Sequence, residues 1–355
     1  MRRFRRQERR HGGQATAVAD PPADPGTHAP ATTEEIHAEV ERLTQLNRAR
    51  PDRATERRLL WLRHVAGARA IDSPPATLPE YARAELDRLP LGDPLPEFPA
   101  ADVTPGLLRA GILRDGCLLV RGFVARYAAL GFAERIDQLF AERERHASGQ
   151  PVDDGLYEEF KPQPRFDDVV ARPWIKDGGG VLAADSPRLS FELLELFGAA
   201  GIGRLVTGYL GETPLISVHK TTLRKADPSV AGAWHQDGSF MGEVRSLNLW
   251  LSLSRCGDSA PGLDLVPRRL EQIVLTQTDE AVLPIQVSRR NVEQAAGDTP
   301  IVRPIFEPGD ALFFDELFLH QTASDPAMPN PRFAVESWFF GSSCFPADYA
   351  PVAVT

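Results

Sequence analysis

Cysteine is scarce in this chain. Cys117, Cys256 and Cys344 are odd in number and widely spaced, which fits neither a disulfide framework nor a zinc site. They read as free thiols of a reducing compartment. Long apolar runs are missing too, since no stretch approaches the roughly 18 uninterrupted apolar residues of a membrane helix. The opening MRRFRRQERR is not followed by the apolar run of a secretory signal. A soluble, cytoplasmic protein with no membrane partner is therefore expected. Lysine occurs only four times, and the formal net charge is −9. That charge is unevenly spread: residues 1–70 carry 14 Arg against 9 acidic residues, whereas the remainder carries 26 basic and 40 acidic. An acidic body lacks the clustered cations that phosphate binding needs, which argues against nucleic acid as a partner.

What is present is ordinary globular material, 42% hydrophobic and 25% charged over 355 residues. Residues 1–32 are rich in Arg, Gly, Ala and Pro and bury too little to offset ordering, so a disordered Arg-rich tail is expected there. Residues 33–106 read as a helical and Pro-rich N-terminal extension. In it Ile36, Val40, Leu43 and Leu46 recur at helical spacing behind Thr33 as N-cap, and a second helix covers 54–70. Residues 107–348 read as the main domain. Its strand at Cys117–Val120 is followed by a helix over 124–147, a long loop over 148–188 and helices over 187–210. Beyond 213 short runs at 214–224, 246–253, 262–266, 282–287, 300–305, 310–314 and 331–340 alternate with turn clusters. That pattern predicts a sandwich or barrel.

Two of the eight histidines stand in telling contexts. In Trp234-His235-Gln236-Asp237, an extended strand would project positions i and i+2 to one side, presenting an imidazole and a carboxylate to one point. His320 ends the apolar stretch that begins at Phe313. Two His and one carboxylate on one face of a metal leave its other positions open, which is the ligand set of Fe(II) oxygenases that activate dioxygen. A lone His-x-Asp is common by chance, and a hydrogen-bonded His is its ordinary meaning. Here it has company. Arg332 follows His320 on an apolar strand, where a cation is costly unless it meets an anion. A guanidinium fork grips a carboxylate in two places, so an iron site beside it describes 2-oxoglutarate binding.

The stretches WHQD, LNLWLSL…APGLDLVPRR, PGDALFFDELFLHQT and NPRFAVESWFF, in that order over about 110–345, resemble the phytanoyl-CoA dioxygenase family of Fe(II)/2-oxoglutarate oxygenases. The resemblance implies a mainly β fold with flanking helices around a double-stranded β-helix (jelly-roll) core. It implies His235, Asp237 and His320 as metal ligands. It assigns Arg332 to the distal carboxylate of 2-oxoglutarate, with Thr322 assisting, and matches Trp250 to a Trp whose role is equally one of packing. The implied reaction uses Fe(II), 2-oxoglutarate and dioxygen, with ascorbate as an accessory reductant, and hydroxylates a C–H bond of a small molecule with release of succinate and carbon dioxide. Related halogenases replace the carboxylate ligand by a small residue; Asp237 is intact, which favours hydroxylation or a related desaturation or ring closure.

The strand before His235 places Lys220, Thr222 and Arg224 on one face by period two, with His219 on the other. Lys220 is a candidate for the cosubstrate and Thr222 for the substrate. Phe240, Arg245, Trp174 and Trp338 are further substrate candidates, although core packing explains Phe240 and Trp338 equally well. Two other readings compete: a non-catalytic jelly-roll binding protein, and a cupin-type metal enzyme that uses no keto acid.

Overall fold

The computed structural model describes residues 32–150, 155–166, 172–229, 232–276, 278 and 284–354. Its helices are α1 (Thr33–Ala49), α2 (Arg53–Asp72), α3 (Pro105–Asp115), α4 (Arg126–Ala147), α5 (Arg172–Asp177), α6 (Pro187–Ala199), α7 (Ile202–Leu210), α8 (Gly238–Met241) and α9 (Arg289–Ala296). Its strands are β1 (Glu97–Pro99), β2 (Cys117–Arg121), β3 (Gly180–Leu182), β4 (Pro214–Ala226), β5 (Ser246–Ser252), β6 (Gly262–Leu265), β7 (Ala311–Phe314), β8 (His320–Ala323), β9 (Arg332–Gly341) and β10 (Pro351–Ala353).

The strands form a large sheet in the order β1-β2-β7-β5-β9-β4-β10, with β3 on β4, and a small sheet of β6 and β8. Isolated antiparallel bridges widen the small sheet, His235 to His320 on one side and Leu265 to Val302 on the other. From β4 to β9 the chain visits large sheet, small sheet, large, small, small, large, small and large. The four central large-sheet strands take the order β7-β5-β9-β4. That alternation between two sheets is a jelly roll. All seven residues of β5 are buried, because one face meets the small sheet and the other meets helices. On the helical side, Phe197 of α6 packs against Phe339 of β9 with centroids 5.7 Å apart. Both rings are fully buried, and each contributes roughly 2–3 kcal/mol relative to exposure. Gly116 ends α3 in the left-handed conformation (φ 77°) and turns the chain directly into β2.

The helical hairpin of α1 and α2 lies against the far end of the large sheet. Gly67 of α2 faces the backbone of Pro351 and Val352, where an added Cβ would come within 3.1 Å. Leu59, Leu62 and Val65 share a cluster with Leu215 of β4 and Ala353 of β10. His64 joins three segments: its Nδ1 lies 2.8 Å from the Pro351 carbonyl, and its Nε2 accepts from the Gln163 amide at 3.0 Å.

Several local expectations need correction. The N-cap of α1 is Thr32, whose hydroxyl accepts from Glu35 while the Glu35 carboxylate accepts from the Thr32 amide. Thr33 is already helical. The 148–188 region contains α5, β3 and a short turn of helix at 183–185, elements too short to show a period. No strand forms at 284–287, and 300–305 contributes only the Val302 bridge. The expected tail at 1–32 lies outside the described residues, apart from Thr32.

Candidate metal centre

His235 and His320 are held side by side by their own backbones. Each amide donates to the other's carbonyl, at 3.0 and 3.1 Å. The imidazole Nδ1 of His235 lies 2.7 Å from the Ala233 carbonyl, and that of His320 lies 3.1 Å from the Phe318 carbonyl. A carbonyl accepts only, so each Nδ1 carries a proton and donates it there. Asp237 reaches the same place, but not along a strand. Its backbone is right-handed helical (φ −62°, ψ −27°) at the start of α8, so the period-two expectation gives the correct convergence by the wrong route. Ligand atoms of His235, Asp237 and His320 all lie within 4.8 Å of one another.

The second residue of the motif locks this turn. The side-chain amide of Gln236 donates to the Leu317 carbonyl at 2.6 Å, and its oxygen accepts from the Val274 amide at 2.7 Å. The segment before His320 and the chain at Val274 are thereby fixed to one buried side chain.

Asp237 is almost fully buried. Burial alone would raise its pKa, but Lys220, His235 and His320 outweigh this and hold the carboxyl at about 2. Lys220 donates to Oδ1 at 3.0 Å, whereas Oδ2 is buried with no hydrogen-bond partner and stands 4.0 Å from His320 Nε2. Burial, with His235 nearby, lowers His320 to about 4, so its imidazole is neutral at pH 7. An orphaned carboxylate oxygen and two imidazoles, each fixed through Nδ1, form a donor set suited to a divalent first-row metal. The residues fit the group.

Arg332 at the start of β9 is buried. Its Nη1 donates to the Gly262 carbonyl at 3.1 Å, its guanidinium lies 5.5 Å from the Trp250 ring centroid, and its Nε has no partner. It forms no ion pair among the described residues. Burial lowers its pKa to about 10, still charged at neutral pH. A buried, incompletely bonded guanidinium is suited to meet an anion.

A cavity of about 650 Å³ opens over this group. Its walls bring together His235, Asp237, His320, Lys220, Thr322, Arg332, Trp174 and Phe240. Lys220 also sits over the Phe240 ring at 3.9 Å. Trp174 is 55% and Phe240 40% exposed, which places them at the mouth. Three sequence candidates do not reach the cavity. Arg245 turns away to Glu212 (3.1 Å) and the Leu210 carbonyl (2.6 Å), with its guanidinium 4.1 Å from the Tyr81 ring centroid, and serves the packing of α7. Trp338 is fully buried behind Phe314, edge-on at 5.9 Å. Thr222 is buried opposite Glu336 in the β4–β9 ladder.

Other lining residues were not foreseen. His219 lines the cavity beside Lys220, because the β4–β9 register shifts between Ile216 and Thr221 and a bulge breaks the alternation. Its ring stacks on Tyr349 at 5.1 Å. Glu336 also lines the cavity. Its place on the Arg332 face of β9 was readable by period two.

No protein-family profile matches the chain, and no curated protein sequence matches it either. Among solved structures, it is similar to EctD from S. alaskensis with 2-oxoglutarate and 5-hydroxyectoine, at 16% identity over 76% of this chain and 85% of that one, TM-score 0.49. It is also similar to the epimerase SnoN in complex with Fe3+, alpha ketoglutarate and nogalamycin RO, at 16% identity over 66% and 83%, TM-score 0.43. A third is the alpha ketoglutarate dependent carbocyclase SnoK from nogalamycin biosynthesis, at 13% identity over 68% and 85%, TM-score 0.42.

Proposed function

We propose that this chain is an Fe(II)- and 2-oxoglutarate-dependent dioxygenase of the phytanoyl-CoA dioxygenase type that hydroxylates a C–H bond of a small molecule. The observation that carries the reading is the convergence of His235 Nε2, His320 Nε2 and the orphaned Asp237 Oδ2, beside a buried Arg332 that lacks an anionic partner. His235, Asp237 and His320 would hold the iron, and Arg332, with Thr322, would bind the distal carboxylate of the keto acid. The chemistry supplied there is oxidative decarboxylation of 2-oxoglutarate to succinate and carbon dioxide, coupled to oxygen insertion into the substrate.

The protein's share is orientation and exclusion. The two Nδ1–carbonyl bonds aim the imidazoles, and Lys220 holds Asp237 by the oxygen that does not face the histidines. Trp250, Leu263 and Phe314 line the cavity with apolar surface that keeps water from the reacting position. Trp174 and Phe240 at the mouth offer rings to the entering molecule.

The test is anaerobic titration of the protein with Fe(II) and then 2-oxoglutarate. The expected result is the weak visible charge-transfer band of the chelate, followed on admission of air by succinate. Absence of both the band and succinate would overturn the proposal.

A further inference from the structure

Glu336 lies on β9, four residues beyond Arg332 and on the same face, with Trp250 and Thr222 as its ladder neighbours. Its side chain is 19% exposed, and that exposure is to the cavity. Oε2 accepts from Arg224 Nη2 at 2.8 Å and Nε at 3.3 Å. Oε1 accepts no hydrogen bond among the described residues, although a carboxylate oxygen has two lone pairs to offer.

The cations on the wall are already engaged. Lys220 is bonded to Asp237, and Arg224 to Glu336 and, at 3.1 Å, to the Gly178 carbonyl. Arg332 is the third, and the reading above reserves it for the keto acid. At the mouth, the exposed carboxylate of Asp348 forms no ion pair among the described residues. An entering acid would thus pass one unpaired carboxylate, meet a second, and find no uncommitted cation. An entering hydroxyl or ammonium would find an acceptor in place. The Arg224–Gly178 bond also ties Glu336 to the turn after α5, the helix that carries Trp174 and Ile175 on the same wall.

We infer that the substrate is a hydrogen-bond donor, a hydroxyl- or ammonium-bearing molecule that presents its donor to Glu336 Oε1 and its apolar part to Trp174 and Ile175. Glu336 is then a specificity-determining residue. This inference rests on the function proposed above.

The test uses the full chain loaded anaerobically with Fe(II) and 2-oxoglutarate, titrated with benzylamine, benzyl alcohol and benzoate, which share a ring and differ in the head group. Binding is read by calorimetry and by perturbation of the charge-transfer band. Either or both of the donors are expected to bind at least about tenfold more tightly than benzoate, the worth of one charge-assisted hydrogen bond. In Glu336→Gln an ammonium preference should fall by about tenfold, while a hydroxyl preference, which needs an acceptor and no charge, should fall much less. Benzoate binding as tightly as the donors, no probe binding while the band is intact, or an amine preference untouched by Glu336→Gln would each overturn the inference. Should that variant not fold, the head-group order in the natural protein decides alone. Failure of the band to form at all would instead strike the proposed function.

Discussion

Lys220 holds Asp237 by Oδ1 at 3.0 Å and leaves Oδ2 buried without a partner. The ammonium both orients the carboxylate and keeps it ionised. Lys220→Met retains the apolar stem and removes the clamp. The expected outcome is a loss of about 10–100-fold in Fe(II) affinity, typical for an outer partner of a metal ligand, with the thermal midpoint little changed. Metal titration followed by calorimetry checks both.

Arg332 is a buried cation without a counter-charge among the described residues, so it costs stability while empty of ligand. Arg332→Met should melt at the same or a higher temperature than the natural protein in the absence of 2-oxoglutarate. It should also lose the stabilisation that 2-oxoglutarate confers. Removing one partner of a buried charge pair costs roughly 2–5 kcal/mol, which weakens the cosubstrate by a factor of about 30 or more. An unchanged 2-oxoglutarate requirement would favour a metal enzyme that uses no keto acid.

The jelly roll and the meeting of His235, Asp237 and His320 were legible because they are written in short, strongly patterned pieces. WHQD, the apolar run ending at His320 and the strand opening at Arg332 each carry local signals, and their order limits where they can meet. What stayed hidden depends on contacts between distant segments. The bulge in β4 brings His219 and Lys220 to the same cavity, and no alternation within 214–226 reveals it. Arg245 follows the motif closely enough to suggest a substrate contact, yet Glu212, from the α7–β4 connection, captures it. β8 and β10 have four and three residues, too short to declare a period. The Pro351 carbonyl that fixes His64 lies 287 positions away.

His64 supplies a pH dependence whose sign follows from its burial. Burial is the main cause that lowers its pKa from 6.5 to about 4. The folded state therefore holds it neutral where the unfolded chain would be protonated. Its contribution is fully present above pH 6.5 and is lost as pH falls from 6.5 towards 4, on the order of 3 kcal/mol in all. Urea unfolding of the natural protein and of His64→Gln at pH 7.5 and pH 5 should show their stability difference shrinking in acid. A difference independent of pH would contradict the assignment.

Gly232 passes so close to β8 that an added Cβ would collide with the Thr322 carbonyl oxygen. Gly232→Ala must therefore push apart the segment that carries His235 and the strand that begins with His320. The expected effect is loss of metal binding by at least about tenfold from sub-ångström displacement of the ligands. The large-sheet core is remote and should keep near-native circular dichroism. Gly203, in α7 with open space at its Cβ position, provides the control: Gly203→Ala should leave metal affinity unchanged.

The register shift in β4 divides that strand between two sets of neighbours. Pro214–Ile216 is aligned by Phe339–Gly341, and Thr221–Ala226 by Arg332–Ser337, so each half keeps its place without the other. Between the halves β4 runs through 217–220 where β9 has only position 338, three residues more than an unbroken ladder takes. Deleting three residues there would let the ladder run uninterrupted, and would remove or displace the segment that brings His219 and Lys220 to the cavity. In this architecture a shortened strand can yield a well-folded protein whose cavity has lost a wall.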